Sequence, residues 1–289
     1  MQSFFQTLVS GLSFGAAYAL VALGFSLVYR TMGLVNFAHG AVLMIGAYVA
    51  STFYLSARLP FAVAVPAAMT VTGVVGLLIE RVLRPLENKD FDLMLIGTIG
   101  AGTVLEAAAI LIWTSAGRGV PSPVRTAPLT VGGVRIPPYD LLVIGITAVA
   151  MVALALFLQR TKPGAAMQAV AMDHEAATAA GIGVGRSNAI AFGIGAALAA
   201  LAGALAGPML YVSPTMGDSL GIQGFASAVL GGFGSIPGAI AGGLGIGVIG
   251  AFAAQSFQGY SDLVTFVVFT VLVMIRPTGI FGEKTVNRA

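Results

Sequence analysis

Three groups of residues are of types that can do chemistry, and each stands out against apolar neighbours. The first is Asp173-His174-Glu175, at the centre of a polar stretch over 159–188. No charge occurs in 141–158 before it or in 187–217 after it. The two carboxylates in that position can meet arginines on a soluble partner. Pro163 suits the first turn of a helix. Met167, Val170, Ala171 and Ala177 form a stripe of small or flexible apolar groups at helical spacing, and Gly181 suits a helix C-terminus. The stripe is expected to seat this helix in a partner's groove. The other reading is a helix lying on a membrane surface, but such helices are usually rich in lysine, and this one carries acids. The second group is Asn36 and His39, with Phe37 between them and Gly40 following. They lie in an apolar run, where a polar group is costly and faces either protein or water. A broken helix lining a path and a hydrogen bond between helices are both consistent with them. The third group is Gly231-Gly232-Phe233-Gly234-Ser235-Ile236-Pro237. Its glycines and proline should break a helix and free backbone N–H and C=O groups toward a cavity.

Other chemistry is excluded. No Gly-Lys-Ser/Thr occurs, so there is no phosphate-cradling P-loop. Gly181-Ile182-Gly183-Val184-Gly185 follows a helix rather than a strand and lacks the setting of a dinucleotide loop. The chain holds no cysteine, which removes disulfides, thiolate metal sites and cysteine nucleophiles. No metal site and no catalytic residue is expected. Glu106 lies within an apolar run, with Asp92 near the same helical face but 14 residues earlier. A proton relay, a structural hydrogen bond and a subunit contact are all open to Glu106, and no second buried acid or lysine is evident to complete a relay.

The elements that must position these groups follow from composition. The chain has 289 residues, 57% hydrophobic and only 9% charged, with a mean hydropathy of +0.96. Soluble domains carry about 25% charged residues, and a compact chain leaves much of its surface in water. A bilayer removes that constraint. The apolar runs are too long, and apolar on too many faces, for the alternating strands of a membrane barrel. The fold class is therefore all-α, a polytopic bundle of transmembrane helices. Runs of about 20 apolar residues cross a bilayer. Candidate spans are 5–28, 33–56, 61–79, 91–113, 139–158 and 188–210, and the tail over 219–275 holds two full helices and a shorter piece. Eight to nine membrane segments are expected, some broken or re-entrant. The first run lacks the basic start of a signal peptide and reads as a span.

Orientation follows from lysine and arginine, which concentrate on the cytoplasmic side. With 159–188 placed inside, Arg30, Arg81, Arg84, Lys89, Arg160, Lys162, Arg186, Arg276, Lys284 and Arg288 are also inside, and Arg58, Arg118, Arg125 and Arg135 are outside. The N-terminus is then external if all six early spans cross. The net charge of +3 therefore sets orientation, and no clustered basic stripe suggests nucleic acid. The loop over 114–138, rich in proline, is external and too short for a domain. Thr130-Val131 and Val134-Arg135-Ile136 around Gly132-Gly133 suggest a small hairpin. The chain is one domain over 1–289. An internal repeat is also suggested, because Gly33-Leu-Val-Asn-Phe37-Ala38-His39-Gly40 is similar to Gly221-Ile-Gln-Gly-Phe225-Ala226-Ser-Ala228.

Several motifs together resemble a known family. They are Gly15-Ala-Ala-Tyr18-Ala19-Leu20-Val-Ala22-Leu23-Gly24, Asn36-Phe37-Ala38-His39-Gly40, Val131-Gly132-Gly133-Val134-Arg135-Ile136, Glu175-Ala176-Ala177 with Gly181-Ile182, Gly231-Gly232-Phe233-Gly234-Ser235-Ile236-Pro237-Gly238, and Arg276-Pro277-Thr278-Gly279-Ile280-Phe281-Gly282. The chain resembles the branched-chain amino acid ABC transporter permeases, in the subgroup of the shorter permease of leucine, isoleucine and valine import. That resemblance implies a bacterial inner-membrane complex of two ATP-binding subunits, a second related permease and a periplasmic or extracellular substrate-binding protein. No cofactor would sit in this chain, ATP and magnesium being held by partner subunits. Asp173, Glu175, Ala176, Ala177, Gly181 and Ile182 would dock the ATPase. The general Glu-Ala-Ala motif continues to Ile-x-Leu-Pro, and here it runs into Ile182-Gly-Val-Gly-Arg186 instead, which bears on docking geometry. Asn36, Phe37, His39, Gly40, Gly231, Gly232, Gly234 and Pro237 are the candidates for the translocation path. The expected function is import of branched-chain or similar hydrophobic amino acids by alternating access. Urea, short amides or aromatic acids are alternative cargoes, and an ion-coupled carrier working alone is the rival class.

Overall fold

A computed structural model describes residues 2–86, 91–125, 127–131, 134–257, 259–276 and 278–282. The expectations attached to Lys89, Gly132, Gly133, Gln258, Pro277, Lys284 and Arg288 lie outside those residues. In chain order the helices are α1 (Gln2–Met32), α2 (His39–Ser51, continued by a π-helical turn Thr52–Ser56), α3 (Phe61–Leu83), α4 (Phe91–Trp113), α5 (Pro138–Arg160), α6 (Lys162–Met172), α7 (His174–Ala179), α8 (Val184–Ala206), α9 (Met216–Gly231), α10 (Ile236–Ser256) and α11 (Ser261–Ile275). The loop between α4 and α5 carries an antiparallel pair, β1 (Leu129–Val131) and β2 (Val134–Ile136), with Thr130 opposite Arg135. This is the expected hairpin.

Among the described residues seven helices are long and apolar enough to cross a membrane, and the shorter apolar α11 follows them. α9 spans sixteen residues and has its own buried face. Together these give the expected count of eight to nine segments. Two of them start part-way through the bundle. Gly33 turns the chain with φ +68 after α1, and the loop climbs back so that His39, the first residue of α2, packs on Gly24. Gly24 lies eight residues before the end of α1, or about 12 Å along a helix. The first turn of α9 meets the first turn of α2 there, because a Cβ on Gly40 would stand 2.5 Å from the carbonyl oxygen of Gly217. The two helix N-termini thus converge inside the bundle.

In lipid there is no hydrophobic drive between helices, so close approach of small residues holds them together. α8 is the hub. It meets α1 where Gly24 faces Gly195, α2 where Gly46 faces Ala200, and α3 where Gly76 faces Phe192 and Ala196. The α1–α10 crossing is built the same way. Gly11, Gly15 and Ala19 on α1 face Gly243, Gly247 and Ala251 on α10, each set at four-residue spacing.

Cross-links sort the charged ends into two faces. Trp113 Nε1 donates to Thr52 Oγ1 at 2.8 Å, Arg118 pairs with Val212, and Tyr139 Oη donates to the Leu205 carbonyl at 2.7 Å. These contacts tie the ends of α2, α4 and α8 to the start of α5, on the face that carries Arg58, Arg118, Arg125 and Arg135. On the other face, Arg84 reaches the Gly185 carbonyl and Gly234 packs on Tyr29 and Arg30.

The suggested repeat does not extend to local structure. Residues 33–38 are mostly irregular, whereas 221–226 lie in the interior of α9.

Candidate functional site: a docking edge and a glycine-lined interior

The polar stretch folds as two helices rather than one. Thr161 caps α6, its hydroxyl accepting from Gly164 N at 3.1 Å, with proline in the first turn. Asp173 then takes an extended conformation and ends α6. Its Oδ1 accepts from Ala176 N at 2.8 Å, so Asp173 is the N-cap of α7. Asp173 therefore has a structural role as well as an exposed charge. Gly181 has φ +80. Its N–H reaches the Thr178 carbonyl and the Ile182 N–H reaches the Ala177 carbonyl, which is a Schellman closure of α7. A glycine is needed there because the left-handed backbone disfavours a Cβ.

The burial pattern corrects one expectation. Met167 and Val170 are 1% and 3% exposed, with Gly164 also buried on α6. This stripe seats the segment on its own bundle and is not available to a partner groove. Ala177 likewise points inward, while Asp173, His174, Glu175, Ala176 and Gly181 are exposed and Ile182 is half-buried. Met172 is 84% exposed beside them and was not singled out by sequence reasoning.

α8 begins directly after the turn that closes α7. Its second residue is held by Arg84, whose Nη2 donates to the Gly185 carbonyl at 3.2 Å. The same guanidinium makes two bonds to Glu80, at 2.9 and 3.0 Å. Glu80 is only 2% exposed. The clamp joins α3 to the start of α8, beside the exposed edge at α7. Its i, i+4 spacing was legible in the sequence, although its connection to Gly185 was not.

In the interior, Asn36 is buried and its Oδ1 accepts from Ala38 N at 3.1 Å, forming the turn that leads into α2. His39 is buried between Gly24 and Phe25, its ring 4.5 Å from that of Phe25. It lies against helices, not in an open cavity. Phe37 is 46% exposed and its ring is 6.0 Å from Phe225. Phe225 also contacts Phe25 at 5.9 Å and Phe233 at 5.4 Å, and Phe233 contacts Tyr29 at 4.8 Å. One ring cluster therefore joins the Asn36–Gly40 and Gly231–Pro237 segments.

The second segment is a helix break, as expected, with Gly232 at φ +103 and Gly234 at φ +80. Its freed carbonyls do not face a cavity. Ile280 N donates to the Leu230 carbonyl and Phe281 N to the Gly231 carbonyl. Gly232 is pressed against Gly279 and Gly282, so the chain's own tail satisfies the break. Ser235 and Pro237 then start α10. Glu106 is half-buried, and the structure brings it an acid that sequence spacing did not reveal, the Asp218 carboxyl in the first turn of α9.

Comparison with known proteins decides the family. Residues 7–274 match the family described as branched-chain amino acid transport system / permease component. The chain belongs to that family. It is a multi-pass transport permease of the bacterial inner membrane. It is 38% identical to the high-affinity branched-chain amino acid transport system permease protein BraD of Pseudomonas aeruginosa, over 99% of this chain and 98% of that one. It is 34% identical to LivH of Escherichia coli K12, a permease of the same description, over 99% and 97%. The autoinducer 2 import system permease protein LsrC of Enterobacter sp. 638 is 30% identical, over 94% of this chain and 73% of LsrC.

Proposed function

We propose that this permease is the membrane-spanning subunit of an ABC importer for branched-chain or related hydrophobic amino acids. It works by alternating access with two ATP-binding subunits, a second related permease and an external binding protein. The observation that carries this reading is near-full-length identity to BraD and LivH. No nucleotide loop is present in the chain, so hydrolysis belongs to partners. On this reading the exposed edge at Met172–Ala176 receives the ATPase, and the Arg84 clamp passes its motion to α3 and α8. The path runs beside Asn36–Gly40 and Gly231–Pro237, with the Phe25–Phe37–Phe225–Phe233 cluster as its inner closure. The deciding experiment is leucine uptake into vesicles holding the whole complex. ATP-dependent uptake that needs the binding protein is expected. Uptake driven by an ion gradient without the ATPases would overturn the reading.

Two variants test the placement of the parts. Glu175→Lys puts a like charge against partner arginines and weakens ATPase association by roughly 2 kcal/mol or more, while membrane insertion is unaffected. Co-purification of the ATPases at wild-type yield would remove Glu175 from the interface. The chain has no cysteine, so single cysteines at Ser122 and Thr178 report sidedness cleanly. A membrane-impermeant thiol reagent is expected to label the first from outside and the second only from within. Equal labelling from one side would overturn the orientation.

A further inference from the structure

One cavity lies away from both His39 and the glycine break. It is an open groove of about 570 Å³ between α1, α10 and α11, with α9 at its floor. Its size lies within the range of small-molecule sites, roughly 300–1,000 Å³. Its lining is polar where a lipid-facing surface would be apolar. Thr7, Ser10 and Tyr18 lie along one face of α1, and Gln223 and Asp262 close the groove from α9 and α11. Hydroxyls, amides and a carboxylate at that depth require water or protein beside them.

Two acceptors at the floor have capacity left for a ligand. Gln223 is 6% exposed, and its Oε1 has no hydrogen-bond partner. Its Nε2 donates to Asp262 Oδ1 at 3.4 Å, which turns the free oxygen away from that bond. Asp262 is exposed to the groove, and among the described residues no lysine or arginine forms an ion pair with it. A carboxylate, an amide oxygen and the Tyr18 hydroxyl converge around one space, and none of the groove's lining residues is basic. A carboxylate and a free amide oxygen with no cation beside them match a primary ammonium, which offers three N–H donors and needs acceptors, not donors, from the site.

We infer that this groove is an external vestibule of the permease, in which Asp262, Gln223 and Tyr18 take the α-ammonium of a zwitterionic amino acid in transit. The inference rests on the import function proposed above. The cargo's carboxylate stays toward the open mouth, since no cation lines the groove.

The test uses the assembled transporter in vesicles. Asp262→Asn is expected to cut leucine uptake about tenfold, the loss of one charge-assisted hydrogen bond, with Asp262→Glu recovering part of it and co-purification of partner subunits unchanged. A second readout is independent of transport. In the Ser10→Cys chain a cationic impermeant thiol reagent reacts from outside several-fold faster than an anionic one, and Asp262→Asn removes that preference. Normal uptake by Asp262→Asn in a complex whose wild type transports would overturn the ammonium site. A Ser10→Cys thiol closed to both reagents would show the groove filled by the second permease or by lipid, which equally overturns it. Failure of wild-type uptake would instead count against the import function, and the reagent preference would still judge the vestibule.

Discussion

Gly247→Leu is expected to prevent stable packing of the bundle. A Cβ at Gly247 falls on the backbone N and Cα of Gly15 and within 2.5 Å of the Gly11 carbonyl oxygen. No flexible side chain stands there to move aside, so α1 and α10 must separate. Overpacking of a core costs about 1–3 kcal/mol when side chains can adjust, and a backbone-to-backbone clash lies at or beyond the upper end. Separation also loosens the α1–α8 contact at Gly24 and Gly195, since α1 serves both. The control is Gly245→Leu on the same helix, where nothing stands within 4 Å. Thermal unfolding of the purified chain in detergent should show a large drop for the first variant and little change for the second. Similar behaviour of the two would mean that the α1–α10 crossing is not held by close approach.

Arg84→Ala is expected to be the most damaging change of a charged residue. It leaves Glu80, which is 2% exposed, without its partner. Stranding a buried charge costs about 3–5 kcal/mol. The guanidinium is itself 40% exposed, and water screens it, so a value near the lower end, roughly 2–3 kcal/mol, is expected. The same variant also frees the start of α8 from α3, because the Gly185 carbonyl loses its donor. Replacing both members, as Glu80→Leu with Arg84→Met, should restore much of the stability, because no charge is then left buried. Binding-protein-stimulated ATPase activity should remain low in the double variant, since the clamp to Gly185 is still missing. Measuring unfolding and stimulation together separates the two roles. Wild-type stimulation in the double variant would show that Arg84 only neutralises Glu80.

Much of the architecture was legible from composition, because a chain with so few charges has one physical option for its apolar runs. The spans, the hairpin, the Pro163 start, the Gly181 end and the break at Gly231–Pro237 all follow from local backbone rules. The misread parts share a cause. The stripe of Met167 and Val170 was recognised as a face, but periodicity does not say which neighbour a face meets, and the neighbour is the chain's own bundle. The break at Gly232 was recognised as freeing carbonyls, but the donors that satisfy them, Ile280 and Phe281, lie about fifty residues further on.

The sequence by itself determined that the chain lies in a membrane, that it has no nucleotide loop of its own, and which family it resembles. These follow from residue types and short spacings, which need no knowledge of distant contacts. Only the tertiary structure decided that the N-termini of α2 and α9 converge, that Arg84 ties Glu80 to Gly185, and that Gln223 and Asp262 meet Tyr18 across a polar groove. Each of these depends on helix crossings between segments far apart in the chain. In a bundle with small residues on many faces, local pattern leaves several crossings open, and the close packing of the whole set selects one.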